Sequence, residues 1–119
     1  MPKTIETGKN GEEQAITFLK GLGYEVLASN WRFKHLEIDI VAREKDCLVI
    51  VEVKTRKDNS FGEPETFVTR SKQQKLIRAA AEYINKYEIE TDVRFDIISV
   101  TTSTNQVHHI KDAFYANIG

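Results

Sequence analysis

Apolar and polar positions alternate along the chain in patterns that predict two helices and five strands. Helical spacing of apolar residues predicts an amphipathic helix over Glu12–Leu22, ended by Gly23 as a left-handed cap. A second helix is predicted from Ser71, as N-cap of a capping box with Gln74, to Tyr87. Runs with a period of two predict strands at Tyr24–Arg32, Leu36–Ala42, Cys47–Lys54, Val93–Thr101 and Gln106–Lys111.

This order of elements predicts an α/β (α+β) fold built on one mixed sheet. Only Arg43–Asp46 separates the second strand from the third, which favours an antiparallel hairpin. A strand reached through a helix normally returns parallel by a right-handed crossover, so the fourth strand should lie parallel to a neighbour. Residues Arg56–Val68 contain Gly62 and Pro64 without periodicity and are predicted to form a long loop.

Composition limits the class of protein. With 119 residues, of which 40% are hydrophobic and 29% charged, residues 1–119 are expected to form one globular domain. Cys47 is the only cysteine, which excludes an intrachain disulfide and a cysteine zinc site and fits a reducing compartment. The polar start of the chain and the lack of an apolar run of ~20 residues predict a cytoplasmic protein with no membrane partner.

Ionisable residues interrupt the hairpin at its most apolar stretch. Glu37 and Asp39 lie two apart on the first strand of the hairpin, and Glu52 and Lys54 lie two apart on the second. Side chains two apart share a face of a strand, so three carboxylates and one ammonium group are expected close together. Crowded carboxylates repel unless a positive charge lies among them, and a hard cation with oxygen ligands is a common solution. Cross-strand ion pairs on an exposed sheet face are the structural alternative.

Charge elsewhere leaves two interpretations open. Residues 54–78 hold 7 basic and 3 acidic residues, a pattern that suits either a phosphate backbone or a solvated helix face. Glu12, in the first turn of its helix, either interacts with the helix dipole or points at the carboxylates. Trp31 either stacks on a base or packs at the rim of the core. The three histidines, His35, His108 and His109, are expected at the surface.

The residues of the hairpin resemble a known nuclease pattern. An acidic residue on one strand, Glu-x-Lys on the next and a helical Glu before both resemble the PD-(D/E)xK nuclease superfamily, whose core has the same order of elements. The chain also resembles, to about Val100, the YraN-like family of uncharacterised bacterial proteins, which is similar to Holliday-junction resolvases. The matching motifs are Gly8-x-x-Gly11-Glu12-x-x-Ala15, Gly23-Tyr24, Asn30, Glu37-Ile38-Asp39, Glu52-Val53-Lys54-x-Arg56, Lys72 and Arg94-Phe95-Asp96. Leu36 departs from the family, which usually has Gly there.

The resemblance implies a restriction-endonuclease-like fold and a role for each matching residue. Asp39, Glu52 and the backbone carbonyl of Val53 would bind Mg²⁺ or Mn²⁺. Lys54 would orient or deprotonate the attacking water and offset charge on phosphorus, completing a catalytic set of Asp39, Glu52, Lys54 and Glu12. Glu37 would be an outer-shell carboxylate, with a pair to Lys54 as its alternative. The candidate phosphate contacts are Arg56, Lys72 and Lys75.

The resulting hypothesis is a metal-dependent endonuclease that hydrolyses DNA phosphodiester bonds at branched structures. Its rival is a catalytically silent module that holds nucleic acid or a protein partner on the same fold, which the net charge of −1 favours. A third class, a small structural protein, would place the Glu37 to Lys54 charges in bulk water. Homodimerisation follows from the resemblance, since junction-cutting enzymes act on two strands symmetrically.

Overall fold

A five-stranded mixed sheet carries one helix on each face. This computed structural model describes residues 7–58 and 68–115, so most of the predicted loop Arg56–Val68 lies outside the described residues. The elements are α1 (Thr7–Gly21), β1 (Glu25–Phe33), β2 (Leu36–Glu44), β3 (Cys47–Arg56), α2 (Arg70–Tyr87), β4 (Asp92–Thr101) and β5 (Gln106–Phe114). Within the part of the chain that the structure describes, neither helix has the length and apolar character needed to span a bilayer.

The strands lie in chain order across the sheet, and only β3 and β4 are parallel. The other neighbours, β1 with β2, β2 with β3 and β4 with β5, are antiparallel. Helix α2 makes the crossover between the two parallel strands. The predicted order of elements, the hairpin and the mixed sheet are therefore confirmed.

Strand β3 is buried on both faces because it contributes to two separate cores. Leu48 and Ile50 pack with Leu76 of α2. Val49 and Val51 pack on the opposite face with Leu19 of α1. Alternation along β3 thus places Glu52 and Lys54, which share a face with Leu48 and Ile50, on the side covered by α2.

Strand β2 does not keep one apolar face. Ile38 packs in the core under α2, whereas Ile40, two residues later, packs under α1. Alternation along the strand predicts that Ile38, Ile40 and Ala42 share one face, and that prediction is wrong. Strand β2 pairs with β3 only as far as Ile40 opposite Val51. In β1, the other neighbour of β2, Asn30 has a φ of 51°. It lies between Ser29, which pairs with Ile40, and Trp31, which pairs with Ile38. The chain therefore twists at this level of the sheet.

The C-terminal end of α1 and the N-terminal end of α2 test the predicted helix caps. Gly23 has a φ of 93°, and its N–H donates to the Lys20 carbonyl, which confirms the predicted left-handed end of α1. The predicted N-cap of α2 is wrong by two residues: Thr69, not Ser71, accepts a hydrogen bond of 3.2 Å from the Lys72 N–H. Helical spacing from Leu76 through Tyr83 predicts that Tyr87 also faces inward, and that prediction is wrong, since Tyr87 is 49% exposed.

Candidate functional site: an acidic cluster where two strands diverge

Four carboxylates meet at the end of the β2–β3 ladder, and we call this group the acidic cluster. Its members are Glu12, Glu37, Asp39 and Glu52. The ladder ends at Ile40 and Val51, so Asp39 and Glu52 are the next residues in register and the strands have begun to separate there. The Val53 N–H donates a hydrogen bond of 2.8 Å to Asp39 Oδ2. A carboxylate thus satisfies a backbone donor that β2 no longer reaches.

Glu52 is a buried carboxylate with two lysines beside it. The residue is 4% exposed. Lys54 Nζ lies 3.9 Å and Lys72 Nζ 3.6 Å from the same oxygen, Glu52 Oε2. Lys72 belongs to the first turn of α2 and comes from outside the hairpin, so the helix helps to neutralise a charge at the strand end. The structure brings Lys72, one of the candidate phosphate contacts, to the cluster.

Burial and mutual repulsion weaken the acidity of the central pair. Burial, followed by the Asp39 carboxylate, raises the pKa of Glu52 to about 7, against the effect of the two lysines. Burial is also the largest cause that raises the pKa of Asp39, with Glu37 adding to it and the Val53 N–H opposing it. Two carboxylates with raised pKa values at one place are typical of sites that bind a cation or move a proton.

Helix α1 brings Glu12 to the cluster. Burial raises the pKa of Glu12, a hydrogen bond from Asn30 opposes this, and the carboxylates of Asp39 and Glu37 raise it further. A side chain at Gly11 would collide with Thr55 of β3, so α1 passes close to this end of the sheet only because residue 11 is glycine. Of the two interpretations of Glu12, the structure favours the one that points it at the carboxylates. Sequence reasoning gave Asn30 no role; its hydrogen bond to Glu12 supplies one.

Glu37 lies at the rim of the cluster. Its Oε2 is 3.5 Å from Arg32 Nη2, across the β1–β2 pair, and its side chain is 41% exposed. The alternative pairing of Glu37 with Lys54 is therefore wrong, because Lys54 turns to Glu52 instead. Leu36, the one departure noted from the motifs that the sequence resembles, is buried in the core under α2.

The remaining candidate phosphate contacts lie beside the cluster. Arg56 is the last residue of β3, two positions beyond Lys54 and so on the same side of that strand. Lys75 is exposed on α2, nearly one turn after Lys72. A polyanion that reached Lys54 would therefore pass both basic side chains.

The donor set at the centre of the cluster fits a hard divalent cation. Mg²⁺ usually takes one or two carboxylates from a protein and keeps several waters. Asp39 and Glu52 supply two carboxylates, and the neighbouring Val53 carbonyl is the third oxygen that the resemblance assigns. Among residues 7–58 and 68–115, no three side chains of His, Cys, Asp or Glu form a metal-holding group by themselves. Waters would have to complete the coordination.

A second charged network lies on the opposite face of the sheet, where the sequence gave little warning of it. Asp96 is fully buried, and its carboxylate accepts bonds of 2.8 Å from both Nε and Nη2 of Arg94. It also lies 2.8 Å from His109 Nε2 and accepts a bond of 2.9 Å from the Asp112 N–H. The prediction that His109 is a surface residue is wrong, since its side chain is 7% exposed.

This network has a structural role. It joins β4 to β5 at the irregularity between Phe95 and Ile97, and Arg94 Nη1 and Nη2 also reach Glu44 and Tyr24 at 2.8 Å. Burial alone would raise the pKa of Asp96, but hydrogen bonds from His109 and Arg94 hold the pKa below its ordinary value. The available signal was the Arg94-x-Asp96 pair in an apolar strand.

Comparison with known proteins identifies relatives over nearly the whole chain. The sequence model of "Uncharacterised protein family UPF0102" matches residues 11–100. A UPF0102 protein of Flavobacterium psychrophilum is 43% identical over 117 residues, which cover 97% of this chain and 98% of the relative. A UPF0102 protein of Bacteroides thetaiotaomicron is 45% identical over 117 residues, covering 97% of each. The matched region contains the whole acidic cluster together with Lys54 and Lys72.

Proposed function

This chain belongs to the UPF0102 family, and we propose that it is a metal-dependent endonuclease that hydrolyses DNA phosphodiester bonds on a restriction-endonuclease-like, PD-(D/E)xK scaffold. The membership confirms the expected YraN-like family, while the likeness to PD-(D/E)xK resolvases stays a prediction. One observation carries the proposal: Asp39 and Glu52 meet where β2 leaves β3, with Lys54 and Lys72 against the buried carboxylate.

The carboxylate pair is the proposed cation site. Asp39, Glu52 and the Val53 carbonyl would hold Mg²⁺ or Mn²⁺, which when bound polarises the phosphate and lowers the pKa of water. The Val53 N–H fixes the orientation of Asp39 through its bond to Oδ2, so one carboxylate is positioned before any ligand arrives. Glu12, held by Asn30, would bind an outer-shell water or a second cation.

Lys54 is the proposed partner of the reacting phosphate. In hydrolysis, the water oxygen bonds to phosphorus, the bond from phosphorus to a sugar oxygen breaks, and the proton lost by water is balanced by the one that the leaving oxygen gains. The Lys54 side chain is 34% exposed, so its ammonium group is free to turn from Glu52 to the attacking water and the charged phosphorus. The basic side chains of Arg56 and Lys75 would hold the flanking phosphates.

The alternative structural role does not explain the burial of Glu52. An exposed ion pair keeps both partners in water and leaves their pKa values near normal, whereas burial and Asp39 raise the pKa of Glu52 to about 7. A buried carboxylate beside a half-buried one weakens the fold when both are ionised. Carboxylates that lie together at a cost in stability are typical of a functional site and not of a structural ion pair.

The test is a cleavage assay on linear duplex, single-stranded and four-way DNA with Mg²⁺ or Mn²⁺. Wild-type protein should cut at least one substrate, EDTA should stop the reaction, and Asp39→Asn, Glu52→Gln and Lys54→Met should each abolish it. Glu90→Gln, an exposed acid outside the cluster, is the matched control and should cut normally. Binding without cleavage by the wild type would support the silent binding module. Cleavage that survives all three substitutions would reveal a contaminating nuclease.

A further inference from the structure

Four aromatic rings form a continuous row from the edge strand β1 to the end of α2. The rings of Phe33 and Trp31 are stacked within 7° of parallel at 6.3 Å between centroids. Trp31 meets Tyr83 edge-on at 5.2 Å, and Tyr83 meets Tyr87 at 4.6 Å. We call Phe33, Trp31, Tyr83 and Tyr87 the aromatic row.

Tyr83 lies in the core, Trp31 packs against it, and the two end rings of the row reach solvent. Tyr83 is 6% exposed, Trp31 and Phe33 are half-buried, and Tyr87 is 49% exposed. Core packing accounts for Tyr83 but leaves the outer rings partly in solvent. Exposed aromatic surface that runs in one direction is typical of a binding surface.

Exposed lysines cover the outer rings at both ends of the row. Lys34 Nζ lies 5.5 Å from the centroid of Phe33, and Lys86 Nζ lies 5.7 Å from the centroid of Tyr87. Each ammonium group occupies ring surface that a flat ligand would use, and a long exposed side chain can move aside without disturbing the fold. Positive charge at both ends suits a ligand that carries flat rings on an anionic chain.

The row begins next to the acidic cluster. Trp31 pairs with Ile38 across β1 and β2, and the residue after Ile38 is Asp39. Trp31 and Tyr83 pack with the core under α2, which is the face that also carries Glu52. A strand of nucleic acid whose phosphate lay at the cluster would therefore reach the row within a few nucleotides.

We infer that the aromatic row binds unpaired bases of single-stranded DNA, which stack on Phe33, Trp31 and Tyr87 while Lys34 and Lys86 turn to the phosphates. Stacking on aromatic side chains between basic groups is how proteins hold single strands without reading sequence. The inference rests on the proposed function for its choice of DNA as ligand. It specifies the substrate class as DNA with an unpaired segment next to the scissile phosphate, and fully paired DNA as a poor ligand.

Trp31 provides a direct measurement because it is the only tryptophan in the chain. Tryptophan fluorescence should be quenched by oligo(dT) and by duplexes with a single-stranded flap, but not by blunt duplex, in EDTA so that no cleavage occurs. Tyr87→Ala should weaken binding to oligo(dT) by about tenfold, the loss expected for one stacked base. Tyr87→Phe keeps the ring and should bind as the wild type does. Tyr115→Ala, which removes a 65% exposed tyrosine outside the row, is the matched control and should also bind normally.

Three results would overturn the inference. These are an absence of quenching by any single strand, equal effects of Tyr87→Ala and Tyr115→Ala, and a fluorescence change that follows protein concentration without DNA, which would make the row an interface between two copies. The two proposals fail separately. Cleavage without quenching would contradict only the proposal that the aromatic row binds DNA. Quenching without cleavage would contradict only the proposed nuclease activity.

Discussion

The Asp39 carboxylate accepts a 2.8 Å hydrogen bond from the Val53 main chain at the point where β2 leaves β3. Val53 lies between Glu52 and Lys54 in β3, so this bond holds the Asp39 carboxylate of β2 beside both residues. The bond thus fixes the Asp39 carboxylate against the main chain of β3, between Glu52 and Lys54.

Asp39→Asn should lower the pKa of Glu52, because it removes a negative charge from the cluster while keeping nearly the same side-chain shape. The amide oxygen can still accept the Val53 hydrogen bond, but the negative charge beside Glu52 is gone, and that charge is the second cause of the raised Glu52 pKa. We expect the pKa of Glu52 to fall below about 7 in this variant. Titration of the Glu52 carboxyl carbon by NMR measures it, and an unchanged pKa would mean that burial alone is responsible.

Glu52→Gln should stabilise the cation-free protein in a pH-dependent manner. The folded pKa of about 7 lies above the ordinary value of 4.5, so the folded state binds a proton that the unfolded state releases. The stability associated with this proton is fully present below pH 4.5 and is lost as the pH rises through about 7. In EDTA at pH 8.5 the variant should therefore be more stable than the wild type by about 2 kcal/mol. The difference should disappear near pH 4.5, as measured by urea denaturation. A constant difference at both pH values would contradict the raised pKa.

Lys72→Gln should change cation binding, whereas Lys75→Gln should not. Lys72 Nζ lies 3.6 Å from Glu52 Oε2, so its positive charge repels any cation that approaches the carboxylates. Removing it should tighten Mn²⁺ binding by about threefold to tenfold in the absence of DNA, since one charge pair near a protein surface contributes on the order of 1 kcal/mol. Isothermal titration calorimetry at pH 8.5 measures the constant. Equal affinities for both variants would show that Lys72 does not act on the site.

Asp96→Asn should destabilise the fold without affecting the cluster. The substitution removes the charge that pairs with Arg94 at 2.8 Å in a buried setting, and such losses cost about 3 kcal/mol. Because Asp96 faces the α1 side of the sheet and Glu52 the α2 side, Mn²⁺ affinity should stay at the wild-type value. Asp92→Asn, at the exposed start of the same strand, is the control for stability. Reduced Mn²⁺ affinity in a folded Asp96→Asn protein would mean that the two sites are coupled.

Thr69→Ala should weaken α2, whereas Ser71→Ala should have little effect. The Thr69 hydroxyl accepts the Lys72 N–H at 3.2 Å, and loss of such a cap costs about 1 kcal/mol. Ser71 is exposed within the first turn, where substitutions usually change stability by less than about 0.5 kcal/mol. Thermal unfolding of both variants compares them. A larger loss for Ser71→Ala would return the cap to the position that the sequence pattern predicted.

Local pattern was enough for the elements and for the hairpin that holds the site. Period-two and helical spacing depend on which faces are buried, and each strand and helix of this chain buries a face long enough to leave that signal. The shared face of Glu52 and Lys54 was predicted for the same reason, whereas the change of face along β2 between Ile38 and Ile40 was not. The helix cap was not, because Thr69 and Ser71 both fit a capping pattern and only the path of the preceding chain selects one.

The partners of His109 and the position of Lys72 had no local sequence signal. In the sequence, His109 has the pattern of a polar strand residue. In the structure, it contacts Asp96 and the rings of Phe18 and Tyr24. In the sequence, Lys72 is one of several basic residues in the second helix. In the structure, the first turn of α2 brings it to Glu52 of β3. These outcomes depend on how helices and strands pack, which local periodicity does not encode.

The sequence by itself determined the helices, the strands and the hairpin that carries Asp39, Glu52 and Lys54, since periodicity is a local property of the backbone. Only the tertiary structure decided that β2 pairs with β3 from Ile40 onward and not before it, so that Asp39 bonds to the Val53 main chain and stands beside Glu52. The physical reason is that twist and strand separation arise from packing both faces of the sheet against helices. That packing involves residues far apart in the chain.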